Sequence, residues 1–116
     1  MKILKGSIDT ENKKEVYRLT KARGLMVQKL DVGKPMPVGD WLLYEDEKTS
    51  REGEVRTETV LSFIAGTEKV STISKTFIRE FLDIAELMNG EPYEIVIVDG
   101  ENSSGRRFVS CELVCD

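Results

Sequence analysis

Between residues 54 and 98 the hydrophobic pattern changes period twice, and this restricts the fold more than any other feature of the chain. Residues 54–65 alternate. Val55, Thr57, Thr59, Leu61 and Phe63 fall on one face of an extended strand, with Arg56, Glu58, Val60, Ser62 and Ile64 on the other. From Ser74 or Thr76 the pattern becomes helical. Phe77, Phe81, Ile84, Ala85 and Met88 then recur at the three- and four-residue spacing of a single helix face. Ser or Thr at the start fits an N-cap, Asn89-Gly90 fits a C-terminal stop, and Pro92 prevents the helix from resuming. Residues 93–98, Tyr-Glu-Ile-Val-Ile-Val, return to an extended strand apolar on much of both faces. One helix of about four turns is thus inserted into a chain that is otherwise extended.

The flanking segments fit the same scheme. Residues 38–46, which hold Trp41, Leu42, Leu43 and Tyr44, read as a strand after the break at Gly33-Lys34-Pro35-Met36-Pro37. Residues 46–53 read as a charged hairpin loop and residues 66–69 as a turn, with a short extended piece over 70–73. Residues 99–105 form a Gly- and Ser-rich connection, and residues 106–115 alternate with Val109, Cys111 and Leu113 facing inward. Residues 13–22 alternate loosely and carry Val16 and Tyr17. They are expected to form a strand, with a helix as the competing reading, and residues 25–30 a second extended piece. The predicted order of three strands, one helix and two strands is that of the OB-fold, a five-stranded Greek-key barrel with its α-helix between strands 3 and 4. The expectation is a single domain over residues 1–116, closed or nearly closed, with the helix plugging one end.

Composition removes whole classes of chemistry. The chain has no histidine, so every histidine-dependent triad, every histidine-containing zinc site and the commonest general base are absent. Ser103 and Ser104 have no histidine to activate them, and the glycines from Gly100 to Gly105 lack the Lys-Ser or Lys-Thr ending of a phosphate loop. Glu45-Asp46-Glu47 reads as solvated charge on a loop. No catalytic residue, cofactor or metal is expected. Cys111 and Cys115, four apart on a strand, would lie about 13 Å from each other, too far to bridge, and read as reduced thiols. Met1-Lys2-Ile3-Leu4-Lys5-Gly6 has too short an apolar core for a secretory signal, which predicts a cytoplasmic protein without a membrane partner.

Charge is unevenly distributed. The net charge is −4, yet residues 1–30 hold eight Lys or Arg against three acids, a local excess of +5. A basic stripe on an acidic body suits a groove that tracks phosphates, and single-strand binding also needs exposed aromatic faces. Of eight aromatic residues, Phe63, Phe77 and Phe81 are expected in the core. Tyr17 stands among Lys13, Lys14, Arg18 and Lys21, and Phe108 follows Arg106 and Arg107 with a parity opposite to Val109. Trp41 and Tyr44 have opposite parity on one strand, and Tyr44 is expected to face outward. The candidate interface is therefore Lys13, Lys14, Tyr17, Arg18, Lys21, Tyr44, Lys75, Arg106, Arg107 and Phe108.

Glu58-Thr59-Val60 in a strand, Ile73-Ser74-Lys75-Thr76 opening the helix, and the run from Gly100 to Gly105 leading to Phe108, Ser110 and Leu113 are collinear with a known family. On these pieces the chain resembles the single-stranded-DNA-binding proteins of small bacteriophages that replicate by protein priming, and of related mobile elements. The resemblance implies an OB-like domain without cofactor or catalysis that coats exposed strands non-specifically during DNA replication. It brings replication proteins and other copies of the chain into view as further partners. It also implies that tyrosines near the middle strands meet DNA; Tyr44 lies near one of these, whereas Glu52 and Val70 stand where others are expected. The rival reading is a non-catalytic OB-like interaction or structural module of a mobile element.

Overall fold

A computed structural model describes residues 1–101 and 103–115. The chain is mainly β, a curled mixed sheet that forms a half-barrel with two helices. Its strands are β1 (Lys2–Gly6), β2 (Leu25–Met26), β3 (Met36–Thr49), β4 (Val55–Ala65), β5 (Glu68–Thr72), β6 (Glu94–Glu101) and β7 (Arg107–Leu113). The helices are α1 (Lys13–Thr20) and α2 (Lys75–Met88). Among the described residues no helix is long and apolar enough to cross a membrane.

The sheet order is β2-β5-β4-β3-β6-β7, and β1 pairs with β3 off this path. Among the described residues β2 and β5 are the one strand pair that runs parallel. Strand β3 joins the two halves of the half-barrel. One of its edges follows β4 from Val38↔Ala65 to Thr49↔Val55, and the other meets β6 at Met36 and Pro37 and then β1 from Leu42 to Glu45. Between Val38 and Trp41 the register with β4 shifts, the kind of bulge that bends a strand and raises its twist.

Two expected breaks are strand instead. Pro37 lies near the start of β3, just before the first β3–β4 pair at Val38↔Ala65, and its carbonyl accepts from Gly66 N at 2.9 Å; strand ends tolerate the missing proline N–H. The charged run through Thr49 also continues the ladder, Lys48 opposite Arg56 and Thr49 opposite Val55; the turn is confined to residues 50–54.

Alternation sends Leu43, Leu61 and Phe63 to the concave face, where they bury against Phe77, Ile78 and Phe81 of α2 together with Val27, Val70, Ile95, Ile97 and Cys111. The Phe63 and Phe81 ring centroids lie 4.9 Å apart, and Trp41 meets Phe81 edge-on at 6.0 Å. The caps of α2 fall where the sequence puts them: Ser74 Oγ accepts from Phe77 N at 3.3 Å, and Asn89 takes the left-handed conformation at φ 46°. Ile78, outside the expected stripe, is buried as well.

The same alternation sends Leu42, Tyr44 and Ile64 to the convex face. An apolar run of Trp41-Leu42-Leu43-Tyr44 needs cover on both sides of its sheet. That cover is α1. Leu19 is fully buried against these three, with Ile3, Ile8 and Val60 at the rim. Residues 13–20 are therefore helix and not strand. Asn12 Oδ1 accepts from Glu15 N at 3.3 Å, capping the first turn, and Val16, Leu19 and Thr20 take the three- and four-residue spacing of a buried helix face. The barrel is also less closed than expected. Among the described residues strands β5 and β7 do not pair; β2 lies along β5, and Val32 bridges to Ile97 of β6.

Candidate nucleic-acid interface

Helix formation gathers five of the ten candidate residues. Lys14, Tyr17, Arg18 and Lys21 follow the i, i+3, i+4, i+7 pattern of one helix face, opposite Val16 and Leu19, and Lys13 borders it. All five are exposed, and Tyr17 is 62% exposed. Arg18 reaches Glu15 at 3.6 Å and is not withdrawn from the face by it. An exposed ring flanked by cations is the unit a single strand requires, with the ring offered to a base and the cations to phosphates.

Lys69 of β5, outside the ten candidates, joins this site. Its ammonium donates to the Ala22 carbonyl at 2.8 Å, satisfying a backbone acceptor just past the end of α1. Burial, with Lys21 close by, holds the Lys69 ammonium below the usual lysine range. The approach is close: a Cβ on Gly24 would lie 2.5 Å from the Lys69 carbonyl oxygen. No local pattern marks Lys69, because its partner lies 47 residues away.

Tyr44 does not face out. Parity places it opposite Leu43 as expected, but α1 covers that face; Tyr44 is 4% exposed and its hydroxyl donates to the Thr20 carbonyl at 3.4 Å. Burial pushes its phenol above the ordinary tyrosine range. The ring thus supports the helix that carries Tyr17, and it offers no face to a base.

The remaining candidates lie on other elements. Lys75, exposed, opens α2 and lines a groove of about 660 Å3 with Thr57, Thr59, Ile73 and Arg79. Phe108, 36% exposed, lies across Gly100, where a Cβ would come within 2.9 Å of the ring. It lines a groove of about 450 Å3 with Val27, Leu30, Val32, Ile97 and Asp99. Arg106 is exposed, and the Arg107 side chain lies outside the described residues. Helix α1 packs on β3 and β4, so the structure assembles one compact cationic face on α1 and leaves Lys75 and Phe108 at separate grooves.

The thiols are separate. Cys111 is buried and Cys115 exposed, and burial pushes the Cys111 thiol up to about 12, so it stays protonated at neutral pH. Among the described residues no three His, Cys, Asp or Glu side chains converge where they could hold a metal ion. No family model, curated protein or solved structure matches the chain.

Proposed function

We propose that the protein binds single-stranded DNA without sequence preference, acting in the cytoplasm as a non-catalytic coat on strands exposed during phage or mobile-element replication. The observation that carries this reading is the α1 face, where Tyr17 stands exposed among Lys13, Lys14, Arg18 and Lys21. A stacked ring reads no base edge, and ammonium and guanidinium groups on a helix reach phosphates of any sequence, so the expected binding is non-specific.

The OB-fold reading draws support from topology. Strands β3, β4 and β5 form an antiparallel meander, α2 follows, and the β6–β7 hairpin returns to pair with β3. In that architecture the ligand face lies over strands 2 and 3, here β4 and β5. Helix α1 covers part of this face and presents its own cations in place of the bare sheet.

A fluorescence-anisotropy titration of labelled oligo-dT at two salt concentrations tests the reading. Binding should weaken with salt by about 0.7 log units per log unit of salt for each neutralised phosphate, and duplex DNA should compete poorly. Absence of binding at low salt would reject it. The acidic arm formed by β3 and β4, with Glu45, Asp46, Glu47, Glu52, Glu54 and Glu58 against Lys48, Arg51 and Arg56, favours a protein-interaction module as the second reading. That reading is the one left if oligo-dT fails.

A further inference from the structure

Strand β4 outruns its neighbour β5. Residues 61–65 pair with residues 68–72 of β5, but residues 55–59 pair with β3 alone, which leaves their other edge without a strand among the described residues. Nor do these five residues make a backbone hydrogen bond to any element besides β3 among the described residues. The lane that β5 vacates is the groove of about 660 Å3 with Thr57 and Thr59 on one wall and Lys75, Arg79 and Leu82 of α2 on the other. Sheet edges are ordinarily blunted by proline, lysine, a bulge or a cover. This edge reads Val-Arg-Thr-Glu-Thr, its register with β3 is regular, and Val55 is 61% exposed.

The same arm carries an electrostatic conflict. Its register sets Lys48 directly opposite Arg56 and Asp46 directly opposite Glu58, two like-charge pairs on the convex face, and like charges so placed are destabilising. The diagonal contact of Lys48 with Glu58 at 3.2 Å offsets part of this. A strand that brought an acid to Arg56 and a base to Glu58 would offset the rest.

We propose that a second copy of this chain supplies that strand, the two β4 edges joining antiparallel about a two-fold axis at Thr57 into one continuous sheet. A two-fold axis normal to the sheet keeps every side chain on its own face, so the residue at the centre lies opposite its own counterpart. Centring on Arg56 or Glu58 sets that charge against itself. Centring on Val55 or Thr59 runs the strands into the 50–54 turn or into the lane of β5. Centring on Thr57 uses all five free residues and sets Arg56 of each copy opposite Glu58 of the other. The row across the joined sheet is then Lys48 and Arg56 of one copy followed by Glu58 and Asp46 of the second. Each arm, with six carboxylates against three cations over residues 45–58, also enters the other copy's groove, where Lys75 and Arg79 stand. Both α1 helices remain on the convex side of the joined sheet.

Sedimentation velocity of the full chain over a dilution series tests this. The parent should approach twice 13.1 kDa as concentration rises. Arg56→Glu and Glu58→Arg should each weaken self-association about tenfold, because each sets like charges across the axis. Both variants should keep the parent's circular dichroism, since each converts one like-charge pair within the chain into an opposite-charge pair. An equimolar mixture of the two should regain the parent's association, every charge across the axis then meeting its opposite. A parent that stays monomeric, single variants that associate as the parent does, or a mixture that stays monomeric overturns the inference.

Discussion

The two faces of the β3–β4 sheet are covered by one helix each, and the two covers differ in kind. On the concave side α2 contributes Phe77, Ile78 and Phe81 to a core that draws on strands of both halves of the half-barrel. On the convex side α1 contributes Leu19 alone as a fully buried residue, against Leu42, Tyr44 and Ile64. Their outer surfaces differ as well. The exposed positions of α2 include Arg79, Asp83 and Glu86, of both signs, whereas those of α1 include Lys13, Lys14, Arg18 and Lys21 around Tyr17. Stability is therefore concentrated under α2 and the candidate interface on α1, so substitutions should separate the two.

The largest effect belongs to the α2 side. Phe81→Ala removes a fully buried ring in contact with Phe63 and Trp41 and should cost about 3–5 kcal/mol in denaturant unfolding. A cost below about 1 kcal/mol would break the comparison at its stable end. Leu19→Ala should cost about 2–4 kcal/mol. Because it loosens the helix that holds the cations, it should also reduce oligo-dT affinity, whereas the more destabilising Phe81→Ala should bind normally for as long as it stays folded. Tyr17→Ala should do the reverse of Phe81→Ala, losing about 1–3 kcal/mol of single-strand affinity with stability almost unchanged.

The last effect is silent at neutral pH and emerges only in alkali, again on the α2 side. The Cys111 thiol is raised in the fold from 9.0 to about 12, so the folded state favours its protonated form. That contribution is complete below pH 9 and is lost as pH rises toward 12. Cys111→Ala should flatten this part of the stability profile, as read by urea unfolding at several alkaline pH values. Tyr93, raised to about 12 by burial, adds a similar loss above pH 10 that the substitution leaves in place.

The difference between the faces also accounts for what was legible in the sequence. Helix α2 declares itself because its stripe, its Ser74 cap and its Asn89-Gly90 stop all agree, and β4 because its alternation continues into residues buried on both faces. Helix α1 carries a mixed signal: Val16 and Tyr17 favour a strand, and the deciding feature is the Asn12-x-x-Glu15 cap, a single side-chain contact. Reading these residues as a strand selects the same cations, since their identity does not depend on the element; only the helix puts them on one face. Tyr44 shows the opposite case. Period-two parity fixes which side of β3 it occupies, but whether that side meets water depends on a helix 24 residues earlier, and no local pattern carries that information.

The central claim is that α1 supplies the DNA-binding face, and the salt dependence of oligo-dT affinity tests it most directly, measured for the parent chain and for Lys14→Gln, Arg18→Gln. If both side chains meet phosphates, the double variant should bind more weakly for every sequence, and the slope of log affinity against log salt should fall by about 1.4. An unchanged affinity and slope, in a variant whose helix content matches the parent, would contradict the account and remove the interface from α1.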